Sequence, residues 1–139
     1  MRKAKTLTEA TILASSAEDY MNADQREFFR QRLLAMQVEL TRNAAQTTVE
    51  MQQMVVPSDP ADRATLEEEY ALELRTRERE LRLAGKVAAA LRRIEDGTYG
   101  YCDETGEPIG LARMLARPTA TLTIEAQERR ERLKKTFGD

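Results

Sequence analysis

The 139-residue chain contains no histidine and no tryptophan, and its single cysteine is Cys102. Without histidine there is no Ser-His-Asp triad and no imidazole base, and one thiol cannot complete a zinc site of Cys and His ligands. One thiol also excludes an intrachain disulfide, and so a disulfide-stapled secreted scaffold. Phe and Tyr make up only 5% of the residues, whereas charged residues make up 33%. This composition is typical of much solvated helix around a small core.

Long hydrophobic runs and a strong net charge are also missing. No apolar stretch approaches the roughly 20 residues that cross a bilayer. Thr6, Thr8 and Glu9 follow the basic start, where a signal peptide would have its apolar core. We therefore expect a cytoplasmic protein with no membrane partner. The net charge of −2, from 22 basic and 24 acidic residues, argues against general nucleic-acid binding, although local clusters can still bind phosphate.

Two long helical patterns dominate the chain, and each predicts a coiled-coil seam. The first begins near Asn22 and runs without Gly or Pro to Val56. Its apolar positions are spaced by three or four residues: Phe29, Leu33, Met36, Leu40, Ala44, Thr47, Met51 and Met54. The second ends at Gly97, and we predict its seam at Leu66, Tyr70, Leu74, Leu81, Ala84, Ala88 and Leu91, with Arg77 as its one charged position.

Pro57 and Pro60 separate the two patterns, so the sequence predicts an antiparallel hairpin over residues 22–96 with its tip near 57–64. An intermolecular dimer is the competing architecture, and the proline break disfavours it. Residues 1–21 are expected to form an N-terminal arm. Residues 97–139 are expected to form a small globular head with a Gly- and Pro-rich turn region, a short helix and a C-terminal helix. The predicted fold is mainly α, with a long coiled-coil hairpin protruding from this head.

The turn between the helices is rich in acids. From Asp59 to Glu73 there are six acidic residues and one base, Arg63. Helix capping alone explains part of this, since Asp59 suits the N-cap, Pro60 the first helical position and Asp62 a capping box. The functional alternative is that the hairpin delivers exposed carboxylates to a metal or a basic site on a partner.

Two basic regions leave similar alternatives open. Seven bases and two acids lie between Arg75 and Arg93, and the C-terminal region contains a further basic cluster. Glu–Arg pairs on a solvated helix face account for most such runs. Clustered guanidinium groups also suit an acidic partner or a phosphate.

The segment around Cys102 is similar to a zinc knuckle whose second sulfur is replaced by the hydroxyl of Thr105. A second pair with the same spacing, Thr123 and Ala126, carries no sulfur. A structural zinc takes four thiolate or imidazole ligands almost without exception. We therefore expect no bound metal in this turn region, and Cys102 to be a small, half-buried apolar residue.

Five segments, taken in order, resemble the DksA family of bacterial RNA polymerase-binding regulators. They are the segments at 18–22, 59–64, 67–75, 99–102 and 116–120, and the resemblance extends from about Tyr20 to Arg132. It implies a non-enzymatic regulator that enters the secondary channel of RNA polymerase and destabilises initiation complexes. With the effector guanosine tetraphosphate (ppGpp), such proteins repress ribosomal RNA promoters and activate some biosynthetic ones. No sequence-specific DNA binding and no cofactor are implied, and we expect a monomer.

The resemblance also implies roles for individual residues. The coiled-coil tip residues of the family fall on Asp59, Asp62 and Ala64, and an arginine that contacts polymerase falls on Arg79. The ppGpp-binding residues fall on Leu83, Lys86 and Arg117.

The sequence departs from the family pattern at two places. The four zinc-ligand positions hold Cys102, Thr105, Thr123 and Ala126, which implies a reduced-cysteine, zinc-independent type. Gln127 stands where the family has a lysine that contacts ppGpp, which predicts weaker synergy unless Arg129 or Arg130 substitutes. Two other functions are considered: a Gre-like transcript cleavage factor whose tip acids hold a metal, and a structural coiled-coil adaptor.

Overall fold

The computed structural model describes residues 7–137, and in that part of the chain it is mainly helical. The helices are α1 (Glu9–Leu13), α2 (Ala23–Gln52), α3 (Pro60–Asp96), α4 (Leu111–Ala116) and α5 (Ile124–Thr136), with a 3-10 turn at Ala17–Asp19. The one extended pairing found among the described residues is an isolated bridge between Tyr101 and Pro108. None of the described helices is long and apolar enough to cross a membrane. The predicted mainly α fold is confirmed.

Local signals set the ends of the two long helices. The Asn22 Oδ1 accepts a hydrogen bond from the Gln25 backbone N–H at 2.9 Å, which caps α2. The helix ends at Gln52, four residues before Val56, so its predicted end was too late. At the other end of the pair, Gly97 has a φ of +83°, the left-handed conformation that closes α3. Helices α2 and α3 pair as the antiparallel hairpin that the sequence predicts.

The chain divides into two compact units. One unit contains the described chain up to Leu33 and from Ala89 onward. Phe29 is fully buried and packs against Tyr99 with ring centroids 5.5 Å apart. The Tyr99 hydroxyl donates to the Pro118 carbonyl at 2.7 Å. The other buried apolar residues of this unit are Ile12, Met21, Leu33, Ala90, Cys102, Ile109, Met114, Leu122 and Ala126.

Tyr20 connects the N-terminal arm to the turn region of the same unit. Its hydroxyl donates to the Gly100 carbonyl at 2.5 Å and accepts from the Gly110 N–H at 3.0 Å. Burial raises the pKa of this phenol, so it remains a neutral donor. Gly100 has a φ of +89°, and a Cβ there would lie 2.8 Å from the Met21 Cε atom. The close approach of the arm therefore requires glycine at this position.

The other unit, Leu34–Ala88, contains the remainder of α2 and α3. The predicted seam of α2 is confirmed here: Met36, Leu40, Ala44, Met51 and Met54 are half-buried and Thr47 is buried. The Thr47 hydroxyl donates to the Asn43 carbonyl at 3.0 Å, which satisfies its polar atom within the helix.

The predicted seam of α3 is wrong at four positions. Tyr70, Leu74 and Leu81 are exposed, at 44, 39 and 62%, and Arg77 is exposed rather than buried in the seam. The less exposed positions are Leu66, Glu73, Thr76, Glu80, Leu83 and Val87. From Glu73 onward they keep the three-and-four spacing of a seam, but they include two carboxylates and a hydroxyl. The prediction used apolar residues alone and therefore selected a neighbouring row of residues on the helix surface.

The carboxylate of Glu80 in this seam lowers the stability of the fold. Its Oε2 atom is buried and has no hydrogen-bond partner among the described residues. An unsatisfied buried acceptor costs about 1–3 kcal/mol. We expect Glu80→Leu to raise the free energy of unfolding by about that amount, as measured by urea denaturation. The exposed Glu78→Leu is the matched control and should change it by less than about 0.5 kcal/mol. Equal changes in the free energy of unfolding for the two variants would contradict the interpretation that Glu80 is an unsatisfied acceptor.

Candidate functional site

The turn between α2 and α3 presents acidic side chains on a capped helix start. The Asp59 Oδ1 accepts a hydrogen bond from the Ala61 N–H at 2.8 Å, and its carbonyl accepts from the Arg63 N–H at 2.9 Å. Pro60 is the first residue of α3, so the predicted N-cap role of Asp59 and first-position role of Pro60 are confirmed. The predicted capping box is not formed, because the Asp62 carboxylate accepts no hydrogen bond from the Asp59 N–H in the described chain. Asp59, Asp62 and Ala64 are all exposed. Capping fixes the backbone of this turn while the carboxylate of Asp62 remains available to a partner.

The predicted contact residues of α3 lie several turns further along the helix, in the same unit as the tip. Arg79 and Lys86 are exposed, and Leu83 is half-buried in the seam. Leu83 and Lys86 are three residues apart and so lie one turn apart. The structure shows no ion pair to Arg79 or Lys86 within the described chain. Both cations are therefore available to an acidic partner or a phosphate.

Arg117 and Gln127 belong to the other unit. Arg117 is exposed and follows the last residue of α4. The Gln127 Nε2 donates to the Glu131 Oε1 at 3.0 Å, so this amide is engaged within α5. The neighbouring guanidinium groups pair with one acid: the Arg130 Nη2 lies 2.9 Å from the Glu104 Oε1, and the Arg129 Nη2 lies 3.7 Å from the Glu104 Oε2. Their charge is thus partly neutralised by the turn region.

The four positions that the resemblance assigns to zinc ligands lie in this turn region and at the start of α5. Cys102 is 4% exposed, so it is more buried than predicted. The Thr123 hydroxyl caps α5 by accepting from the Ala126 N–H at 3.2 Å and lies 3.9 Å from the Cys102 Sγ. Thr105 accepts from the Glu107 N–H at 3.2 Å. The Ala126 methyl group is fully buried.

This donor set does not fit a structural zinc, which needs four thiolate or imidazole ligands. One thiol is present, both hydroxyls are used in local hydrogen bonds, and the fourth position has no donor atom. Among the described residues no group of three or more His, Cys, Asp or Glu side chains is placed to hold a metal ion. Burial raises the pKa of the Cys102 thiol, but hydrogen bonds from Thr105 and from nearby backbone N–H groups outweigh it and lower the pKa to about 7. The sulfur thus has hydrogen-bond donors where a zinc ligand would have a metal.

Backbone hydrogen bonds hold the turn in the absence of such ligands. The Cys102 N–H donates to the Glu107 carbonyl at 2.8 Å, and the Ile109 N–H donates to the Gly100 carbonyl at 2.8 Å. A third bond, from the Asp103 N–H to the Thr121 carbonyl at 2.8 Å, connects the two halves of the former knuckle. The Glu104 ion pairs with α5 add a side-chain connection across the same two segments.

Comparison with known proteins identifies the family of this chain. Residues 25–94 match the family described as DnaK suppressor protein DksA, N-terminal domain. Residues 97–132 match the prokaryotic dksA/traR C4-type zinc finger. A Caulobacter vibrioides protein named RNA polymerase-binding transcription factor DksA is 50% identical over 100% of this chain and 99% of its own length. The chain belongs to the DksA family.

Other DksA proteins are similar over shorter or less conserved stretches. The RNA polymerase-binding transcription factor DksA of Escherichia coli K12 is 42% identical, in an alignment that covers 79% of this chain and 74% of that protein. Among solved structures, transcription factor DksA2 from Pseudomonas aeruginosa superimposes with a TM-score of 0.82 at 45% identity, covering 92% of this chain and 99% of that one. The match to the C4-type zinc finger extends through positions that here lack three of the four sulfurs.

Three features of the site were not predicted from the sequence. The Glu104 pairs join residues about 26 positions apart, and no local spacing signals such a contact. The carboxylate-containing seam of α3 is polar, so hydrophobic periodicity does not detect it. The early end of α2 leaves Val55 and Val56 outside the helix, and no cap residue marks that position in the sequence.

Proposed function

We propose that this protein is an RNA polymerase-binding transcription factor that acts through the secondary channel and alters initiation without chemistry of its own. In this proposal the hairpin brings Asp59, Asp62 and Ala64 close to the polymerase active site. The observation that carries it is the 50% identity to a polymerase-binding DksA along the full chain. The exposed, capped tip supports it, because a rigid helix start is a suitable mount for acids that contact a partner.

The basic half of α3 makes contacts outside the polymerase active site. Arg79 contacts polymerase, and ppGpp binds at the interface through Leu83, Lys86 and Arg117. The exposure of the three cations supports these roles, since phosphate recognition needs accessible ammonium or guanidinium groups. Gln127 offers an amide where the family has a lysine, so we propose a weaker ppGpp response. The protein acts as a cytoplasmic monomer that represses ribosomal RNA promoters and activates some biosynthetic promoters.

A binding measurement tests this function directly. Fluorescently labelled protein should bind purified RNA polymerase saturably, and Arg79→Ala should weaken binding about ten- to hundredfold if the guanidinium makes a charge-assisted hydrogen bond. Arg132→Ala, an exposed arginine on α5, is the control and should leave the affinity within about threefold. Absence of saturable binding by the unaltered protein would contradict the proposed function.

We further propose that the protein works without zinc. The donor set at Cys102, Thr105, Thr123 and Ala126 supports this, as do the backbone bonds that hold the same turn. In relatives with four thiolates the metal would contribute to folding, because binding to a structural site stabilises the folded state. Here hydrogen bonds, side-chain packing and the Glu104 pairs take over that role.

Removal of divalent metal should therefore leave thermal stability unchanged. We expect the melting temperature to shift by less than about 1 °C on addition of EDTA, since no metal–ligand free energy is lost. A variant with Thr105→Cys, Thr123→Cys and Ala126→Cys restores four sulfurs and is the matched control. It should bind one zinc and lose several degrees on chelation, by linkage between metal binding and folding. A comparable EDTA-induced loss in the unaltered protein would contradict zinc independence.

A further inference from the structure

The hairpin end carries exposed apolar side chains that the tip acids do not explain. Val55 and Val56 follow the end of α2 and are 81 and 73% exposed. Tyr70, on the second turn beyond the acidic start of α3, is 44% exposed. Single exposed apolar residues need no explanation, but a contiguous apolar surface is typical of an interaction site.

Val56 and Tyr70 line a groove between the end of α2 and the first turns of α3, entirely within the Leu34–Ala88 unit. The groove has a volume of about 290 Å³. Its lining is formed by Met51, Met54, Val56, Leu66, Glu67 and Tyr70. Two methionines in the wall allow the groove to adapt its shape, because their side chains are unbranched and flexible. A concave, mainly apolar site of this size accepts one or two large apolar side chains from a partner.

Charge around the groove indicates which partner segment fits. Between residues 43 and 74 there are seven acids and a single base, Arg63. Glu67 lies in the groove wall itself, and Asp62, Glu68 and Glu69 are exposed nearby in sequence. An acidic rim favours a segment with positive charge through electrostatic complementarity. The next stretch of α3, from Arg75 to Arg93, has the opposite charge and would repel such a segment.

We propose that this groove is an apolar anchor site for RNA polymerase, and that it receives a large apolar side chain flanked by lysine or arginine. The inference rests on the proposed function and extends it, because the groove is separate from Asp59, Asp62 and Ala64. The groove supplies affinity through desolvation, whereas the tip acids act on the polymerase active site. Apolar contacts in the groove are insensitive to salt, whereas contacts of the tip carboxylates weaken as the salt concentration rises.

The test compares two polar double variants in binding to purified RNA polymerase. Val56→Ser with Tyr70→Ser removes apolar surface from the groove without changing charge. Val49→Ser with Leu81→Ser is the matched control, since these residues are exposed on α2 and α3 and neither lines the groove. We expect the groove variant to raise the Kd about tenfold or more at low and at high salt. The control should stay within about threefold of the unaltered protein.

A second measurement reports occupation of the groove without depending on affinity. In a Cys102→Ser background, an environment-sensitive dye on Val56→Cys should shift to the blue when polymerase binds. The same dye on Val49→Cys should not shift. Equal Kd values for groove variant and control, or a dye at position 56 that stays in water, would overturn the anchor site. Either result would leave the proposed function standing, whereas failure of the unaltered protein to bind polymerase would overturn both.

Discussion

Asp59→Asn combined with Asp62→Asn should abolish regulation of initiation while the protein still binds RNA polymerase. Asparagine is as good an N-cap as aspartate, so the Ala61 N–H keeps its acceptor and α3 still begins at Pro60. The loss of favourable charge at the helix start costs only about 0.3–1 kcal/mol per acid. The double variant therefore removes the carboxylate charge without removing the tip. Any large effect on transcription must come from the lost charge itself.

The expected size of the effect follows from the place where the charge acts. Exposed ion pairs contribute about 0.2–1 kcal/mol, so polymerase affinity should change by no more than about fivefold per residue. Repression of a sensitive promoter should instead fall to the level seen without the protein. Single-round transcription and the binding measurement, made with the same preparations, separate the two effects.

Glu39→Gln with Glu78→Gln is the matched control for the tip variant. Both residues are exposed on α2 and α3 away from the tip and the groove, and the variant removes the same number of charges. This control should repress as the unaltered protein does. Repression that survives in the tip variant, or that is lost equally in both, would show that the carboxylates of Asp59 and Asp62 do not have the assigned role.

Phe29→Ala should produce the largest loss of stability among single substitutions in the chain. Phe29 is fully buried and contacts the rings of Tyr99 and Phe28, with centroids 5.5 and 5.4 Å away. Truncation of such a side chain costs about 3–5 kcal/mol, because apolar burial is lost and a cavity remains. Domains of this size are stable by only about 5–15 kcal/mol, so this substitution removes a large share of the total stability.

Phe137→Ala makes the same chemical change at an 80% exposed position. It should alter the free energy of unfolding by less than about 0.5 kcal/mol. Tyr99→Phe is an intermediate case, because it keeps the ring and removes only the hydroxyl that donates to the Pro118 carbonyl. It should cost about 1–3 kcal/mol. Urea denaturation of the three variants checks this order, and a Phe29→Ala loss no larger than that of Phe137→Ala would contradict the assigned core.

Sequence reasoning predicted the hairpin and the capped tip because those features depend on local signals. The α2 seam is apolar at nearly every position, and Asn22, Pro60 and Gly97 mark helix ends through caps and φ preferences. The prediction of the α3 seam failed because two rows of residues with the same spacing run side by side along that helix. The row through Tyr70, Leu74 and Leu81 is more apolar, yet the one through Glu73, Thr76 and Glu80 is less exposed.

The head was predicted less completely, since its contacts are distant in sequence. Composition alone showed that Cys102 lacks the partners of a zinc site. Local residue spacing could not predict the hydrogen bonds that stabilise the turn region. Tyr20 bonds to Gly100, 80 positions away, and Arg130 bonds to Glu104, 26 positions away. The apolar groove at the hairpin end depends on where α2 stops, and the sequence has no breaker between Gln52 and Pro57.

We expect this chain to regulate transcription initiation by binding RNA polymerase, and in vitro transcription measures that regulation. The assay uses purified polymerase, a ribosomal RNA promoter and metal-free protein, with and without ppGpp. We predict repression by the protein alone and deeper repression when ppGpp is added. An unchanged transcript yield at protein concentrations well above that of the polymerase, in both conditions, would contradict the claim.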